Sequence, residues 1–407
     1  MYSRARVAIR SAAVVLLGML LAEMYNRETP CERDPDIVLD NTSQSPCRFF
    51  SETYEEARSK FRQACHGAEL HTFKVIEDYT MDICVLNGSL PGVLVHTSGF
   101  HGVEGYAGSA IQVAWLSLFA NKQNHHPSII LVHAVNPYGM AHYRRPNENN
   151  VDLNRNGLHP DQWKNALERD PNIANYQDFD EGLFNPRRAP TDVDRYIRIW
   201  IQAAWAIYRH GLSKLKRAMV TGQYHYDKGI FYGGRELQPS LLILWEFLET
   251  RLSQNKQTLT MIHVHTGLGP SGEDTLLGLH ESGIPPHELA TTFTGSYIPN
   301  LAHDDAANNV AAGYDLVLGT AEGFFAPFRK KDSDWILTQE FGTIPTMLVG
   351  ISLILENMAH HYLPEKDAKE WTLLTRRAFY KRTPTWRRQV VLRGVRVLNQ
   401  AIARYIQ

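Results

Sequence analysis

The sequence predicts an α/β fold, and three observations carry that reading. Residues 92–97 and 128–135 are near-continuous apolar runs, the mark of strands covered by helices on both faces. Segments with apolar residues recurring at three and four alternate with them. The polar residues with chemical potential gather just past the predicted strand ends, where open α/β sheets place their ligands. With 407 residues, 43% hydrophobic and 21% charged, the chain can bury a large core. No Pro/Gly/Ser-rich linker divides it, so one large domain is expected. Lys+Arg 42 against Asp+Glu 43 leaves a net charge of -1, which argues against nucleic acid as a partner.

The amino terminus reads differently. Arg4, Arg6 and Arg10 lead into an apolar run at residues 12–22, short for a membrane span and suited to a signal-peptide core. Glu23, Met24 and Tyr25 stand where a cleavage site needs small residues, so an uncleaved anchor is also open. Residues 1–46 are therefore expected to be a signal or anchor segment plus polar linker. The chain would then be secreted or tethered to a membrane, with mitochondrial and cytoplasmic placements as alternatives. Cys31, Cys47, Cys65 and Cys84 permit two disulfides of open pairing or four buried thiols. Asn41 and Asn87 each begin a sequon that a secreted protein would expose.

Along the chain, Tyr54, Ala57, Phe61 and Ala64 mark a helix with Ser51 as its cap. Residues 72–77 and 81–86 alternate as a pair of strands, followed by an Asn87-Gly88 turn. After strand 92–97 comes a helix marked by Ala107, Ile111, Ala114, Trp115 and Leu118. A long polar stretch, residues 158–190, carries Trp163, Tyr176 and Phe179 as anchors. A helix at 192–210 leads to a basic connector ending in a short strand at Gln223 and Tyr224, then a helix at 241–253. Strands are expected before Gly267 and at residues 335–340, a helix at 313–323, and helices at 346–362, 367–379 and 386–405. The last puts Trp386, Val390, Val397, Leu398 and Ala401 near one face, as core packing requires.

Chemistry concentrates in four places. His101 and Glu104 sit three apart at a helix start, where a ring nitrogen and a carboxylate can close on one cation. After strand 128–135 a loop dense in Asn and Arg holds Arg144, Arg145, Asp152, Asn154 and Arg155. Guanidinium suits a substrate carboxylate or a developing oxyanion, although Asp152 and Arg155 could simply pair with each other. His263 and His265 share one side of a strand, and the later one sits at its end. Glu340 closes another strand, and a glutamate there can serve as general base. No strained Gly-x-Ser-x-Gly elbow appears, which disfavours a serine hydrolase.

Taken together, the runs His-Gly-Val-Glu-Gly at 101–105, Asn-Val-Asp-Leu-Asn-Arg-Asn at 150–156, His-Thr-Gly-Leu-Gly-Pro at 265–270 and Glu-Phe-Gly-Thr at 340–343 resemble the DUF2817 branch of the M14-like zinc carboxypeptidase superfamily, which is related to aspartoacylase and succinylglutamate desuccinylase. The resemblance implies a three-layer α/β/α fold with a central mixed, mostly parallel twisted sheet, and a single zinc-hydrolase domain over residues 47–407. It implies one Zn²⁺ per chain on His101, Glu104 and His265, with Glu340 as general acid and base. Asn154 and Arg155 would grip a substrate carboxylate, and Arg144 or Arg145 would face the oxyanion. A mobile tyrosine is expected over the substrate, with Tyr297 and Tyr232 as candidates. The chain departs from the superfamily pattern at Asn136-Pro137-Tyr138-Gly139, where Asn-Pro-Asp-Gly is usual. The implied activity is carboxypeptidase cleavage. An N-acyl amino acid deacylase is the alternative, and a non-catalytic binding protein on the same fold is less favoured.

Overall fold

The computed structural model describes residues 28–29, 31, 34–39, 41–120, 125–180, 183–253, 257–278, 284–299 and 316–406. Among the described residues, seven strands form one sheet: β3 (Glu69–Ile76), β4 (Tyr79–Leu86), β5 (Val93–Ser98), β6 (Ser128–His133), β7 (Leu259–Ser271), β8 (Asp274–Gly278) and β9 (Trp335–Gly342). Their order across the sheet is β3-β4-β6-β5-β7-β9-β8. The centre, β6-β5-β7-β9, is parallel, and both flanks are antiparallel.

Alternation along the central strands builds the three layers. Leu94, Ile129 and Leu131 point into a core shared with the helices Tyr54–Ala64, Gly105–Leu118 and Pro384–Ala403. Val95, Ile130 and Val132 point the other way, into a core closed by the helices Pro239–Leu252 and Ala321–Phe325. Apolar side chains on both faces are why these strands read as unbroken runs. The helices Gly105–Leu118 and Pro384–Ala403 cross closely at Gly394, where a Cβ would stand 2.3 Å from Ile111 Cδ1. Trp386, Val390, Val397, Leu398 and Ala401 are all buried there, as the period of the last helix requires.

Several expectations change. The short strand expected at Gln223 and Tyr224 is instead preceded by a helix, Leu212–Thr221, and Gln223 keeps only an isolated bridge to Tyr232. Leu215, Ala218 and Met219 carry helical spacing, and Gly211 and Gly222 at positive φ stop the helix at both ends. Thr53 rather than Ser51 caps the first helix, accepting from Glu56 N at 3.3 Å. Among the described residues the helix expected at 313–323 is seen only at Ala321–Phe325, and residues 300–315 lie outside the described residues.

Part of the expected polar linker is folded: β1 (Ile37–Leu39) and β2 (Thr42–Gln44) pair, and Ile37 and Leu39 join the first core. Buried Asp34 takes both Arg387 Nε and Nη2, at 2.5 and 2.6 Å. The cysteines resolve as Cys31–Cys47 and Cys65–Cys84. The apolar run at 12–22 lies outside the described residues. Among the described residues no helix is long and apolar enough to cross a membrane, so the expected tether and the membrane-anchored placement are withdrawn.

Candidate active site

β5 ends at Ser98, and the chain turns at Gly99, φ +75°, a conformation that favours glycine. His101 then precedes a short 3₁₀ turn, Gly102–Glu104. A Cβ on Gly102 would stand 2.1 Å from the Gly139 carbonyl carbon, so this glycine lets the loop press against the loop after β6. On the next two strands the ladder does the positioning. His265 on β7 and Glu340 on β9 are direct partners in parallel register. They project from the face that carries Met261 and Ile336 in the second core, so one alternation supplies packing lower down and polar groups at the end. His263 shares that face but bonds Thr97 Oγ1 at 2.8 Å through Nδ1 and stacks on Phe325 in the core.

His101, Glu104 and His265 converge in a buried cluster whose ligand atoms lie within 4.8 Å of one another. His101 Nδ1 is 2.8 Å from Glu104 Oε1, His265 Nδ1 is 3.3 Å from Glu104 Oε2, and the two Nδ1 atoms are 3.1 Å apart. Nε2 of His101 is taken by Asp152 Oδ1 at 3.0 Å, which leaves Nδ1 to face the cluster as a lone-pair donor. Two imidazoles and one carboxylate crowded in this way fit a divalent cation with a coordination position left open. Thr266 N donates to Glu104 Oε2 at 2.9 Å and fixes the carboxylate further.

The acids near the cluster differ in their proton affinity. Burial alone would raise the Glu104 carboxyl, but the charges and hydrogen bonds of His101 and His265 outweigh it and hold the group at about 2. Burial also opposes ionisation of Asp152, and Arg145 with His101 drives it well below the usual range. At Glu340 the charge of Arg145 is too weak an influence to offset burial. Burial first, then the charge of Glu104, pushes it up to about 8, although Leu268 N donates to its Oε1 at 2.8 Å. A carboxylate with high proton affinity beside an ionised one is the arrangement that acid and base work requires.

A cavity of about 1450 Å³ opens onto the cluster and is lined by His101, Glu104, His265, Glu340, Arg145 and Asn154. Arg145 pairs with Asp152, lies 3.9 Å from Glu104 and stacks 4.2 Å over the Phe231 ring. Its neighbour Arg144 points elsewhere: Nε bonds Glu356 at 2.6 Å and Nη2 bonds Asn150 at 3.0 Å, all buried. Asn154 Oδ1 accepts from Ala321 N at 2.6 Å. Arg155 is fully buried behind it, donating to the Val220 carbonyl and to Asn154 O. Tyr297 is half exposed and bridges to Thr275 beside β8, and Tyr232 packs into the second core; neither lines the cavity. Asp152 and Phe231 belong to the site, although the motif spacing gives neither a role there. Asp152 stood inside the Asp-Leu-Asn-Arg run, but as a partner for Arg155 rather than for His101 and Arg145.

The buried His/Glu/His cluster at the carboxyl end of a mixed α/β sheet is that of a metal-dependent hydrolase. Residues 50–393 match the family described as a protein of unknown function, DUF2817, and the chain belongs to that family. Among solved structures, bovine thrombin-activatable fibrinolysis inhibitor is similar at 11% identity over 82% of this chain and 97% of its own, with a TM-score of 0.43. Carboxypeptidase A from Helicoverpa armigera is similar at 11% identity, covering 82% and 75%, with a TM-score of 0.41. A candidate succinylglutamate desuccinylase/aspartoacylase from Shewanella frigidimarina shares 18% identity over 72% and 71%, with a TM-score of 0.28. No curated protein matches the chain.

Proposed function

We propose that the chain is a zinc-dependent hydrolase of an amide bond next to a free carboxylate, acting as a metallocarboxypeptidase. The observation that carries this reading is the register of β7 against β9, which sets Glu340 directly beside His265 and within one cavity with His101, Glu104 and Arg145. His101, Glu104 and His265 would hold the ion. When bound, Zn²⁺ supplies a Lewis acid that makes water a competent nucleophile near neutral pH.

The chain's own groups do the rest. Glu340 takes a proton from the attacking water as its oxygen bonds the carbonyl carbon. Arg145 faces the carbonyl oxygen and stabilises the charge that gathers there. Arg144 is engaged with Glu356, which supports Arg145 for that role. As the C–N bond breaks, Glu340 returns the proton to the leaving nitrogen, so the products are a carboxylic acid and an amine. Asn154, with Arg155 behind it, receives the carboxylate of the leaving amino acid, and Asp152 keeps His101 and Arg145 in fixed relation.

The test is zinc content of the purified chain together with hydrolysis of blocked dipeptides and N-acyl amino acids. Stoichiometric zinc lost on replacing His265, with dipeptides cleaved, is expected. Zinc unchanged in that variant would overturn the ligand set. Cleavage of N-acyl amino acids alone would replace carboxypeptidase action by deacylation.

A further inference from the structure

Phe231 lines the cavity with a backbone conformation that favours glycine. Its φ is +55°, in the left-handed region that a bulky side chain enters only against steric resistance. Glycines stand close by at 229, 233 and 234, so the loop does not lack the residue type that enters this region freely. What the position retains is therefore the ring. The strained step is held from both sides. Ile230 N donates to the Phe184 carbonyl at 2.9 Å, Gln223 N donates to the Phe231 carbonyl at 3.1 Å, and Asp152 N donates to the Tyr232 carbonyl at 2.7 Å.

Two cations meet that ring. The guanidinium carbon of Arg145 lies 4.2 Å from its centroid and that of Arg155 5.6 Å, both within reach of the negative face. A ring attracts a guanidinium through its face and leaves the N–H groups at the guanidinium edge available. Arg145 gives Nη1 to Asp152, and its Nε stands 3.9 Å from Glu104, too far for a hydrogen bond. Among the described residues its Nη2 has no hydrogen-bond partner. Asp152 thus holds the guanidinium by one edge and Phe231 by its face, and a donor remains for a substrate oxygen. The ring is itself held, because it packs against the cluster of Val349, Leu353 and Phe379.

We infer that Phe231 is a positioning residue, whose ring fixes the plane of the Arg145 guanidinium so that Nη2 meets the carbonyl oxygen as charge gathers there. This rests on the carboxypeptidase reading, and the experiment separates the two. Hydrolysis of one blocked dipeptide is compared in the zinc-loaded parent chain, Phe231→Leu, Phe231→Gly and Phe231→Tyr. Phe231→Leu keeps an apolar side chain and lacks the ring face. Its kcat is expected to fall by about 3- to 30-fold, the range of a cation held on a ring, with KM and zinc content close to the parent values. Phe231→Gly relaxes the backbone but also lacks the ring, so it falls at least as far. Phe231→Tyr keeps the ring and the rate. Parent kcat in Phe231→Leu or Phe231→Gly overturns the assignment. So does a loss in Phe231→Tyr equal to that in Phe231→Leu, or a Phe231→Leu chain that loses zinc and binds substrate poorly, since either marks a residue that only packs.

Calorimetric binding of a phosphonate analogue of the dipeptide to the zinc-loaded chain needs no turnover. Its tetrahedral anion stands in for the charged carbonyl oxygen. Tighter binding by the parent and Phe231→Tyr than by Phe231→Leu upholds the role of the ring even where no dipeptide is cleaved, an outcome that would sink only the carboxypeptidase reading. Binding that is equal or undetectable in the parent and Phe231→Leu, with no difference in turnover between them, would sink the role of the ring. Dipeptides cleaved by both chains would then leave the carboxypeptidase reading standing.

Discussion

The strand-borne and loop-borne parts of the cavity are held in place by different physics. His265 and Glu340 are partners in a parallel ladder, so backbone hydrogen bonds on both sides fix their separation. Arg144, Arg145, Asn154 and Arg155 sit in the loop after β6, where each side chain's direction depends on which partner captures it. Arg144 is captured by Glu356 and Arg145 by Asp152, although the two are adjacent in the chain. A strand end dictates where a side chain points, whereas a loop leaves that choice to distant residues.

The sharpest way to break this comparison is at Glu340. Replacing it by Gln keeps the ladder and the bond from Leu268 N to a side-chain oxygen, so the metal should be retained in full. Turnover is expected to fall by about 100- to 10,000-fold, the range lost with a positioned acid and base. Zinc content and kcat measured on the same preparation decide it. Near-parent turnover would show that the register places a bystander.

The adjacent arginines sharpen the loop side. Arg145→Ala should lower kcat/KM by about 100- to 1000-fold, as the loss of an oxyanion donor does. Arg144→Ala should instead cost about 3–5 kcal/mol of stability, because Glu356 would be left as an uncompensated buried charge. Denaturant unfolding of both variants beside their kinetics checks this. A stability loss confined to Arg145→Ala, with the rate loss confined to Arg144→Ala, would reverse the two assignments.

What the sequence revealed follows the same division. The apolar runs of β5 and β6 and the helical periods at 346–362 and 386–405 are local signals, and the elements stand where those signals put them. His101, Glu104 and His265 were visible because a turn and a strand end fix direction from a few neighbouring residues. β8 is five residues long at a sheet edge, too short for its alternation to stand out before it pairs with β9. The helix Leu212–Thr221 was hidden by its basic surface. The true partners of Asp152 lie 51 residues upstream at His101 and 7 upstream at Arg145, and only the fold brings the first of them near.

Asp152 joins the two regions, so its replacement measures how far the loop controls the strand-end site. Asp152→Asn keeps the shape but weakens the hold on His101 Nε2 and on Arg145. A loss of about 10- to 100-fold in zinc affinity is expected, as for other groups that orient a histidine ligand. Competition against a chelator gives the number. Unaltered affinity would mean that the turn at 101–104 positions His101 without help from the loop.

The smallest effect concerns stability and comes from Glu340 again, in the chelator-treated chain. Its carboxyl sits at about 8 in the fold against an ordinary value of 4.5, so between those values the native state binds protons that the unfolded chain has released. Stability must therefore fall as pH rises through that window. Below pH 4.5 both states are protonated and the effect vanishes; above 8 it is complete and no longer grows. Glu340→Gln removes the titrating group, so its Tm should change less between pH 5 and 8 than that of the parent chain. By pH 8 the variant should be the more stable by a few degrees. Parallel Tm curves for the two chains would show that Glu340 is not held against its own charge. The strand end would then position the base without raising its proton affinity.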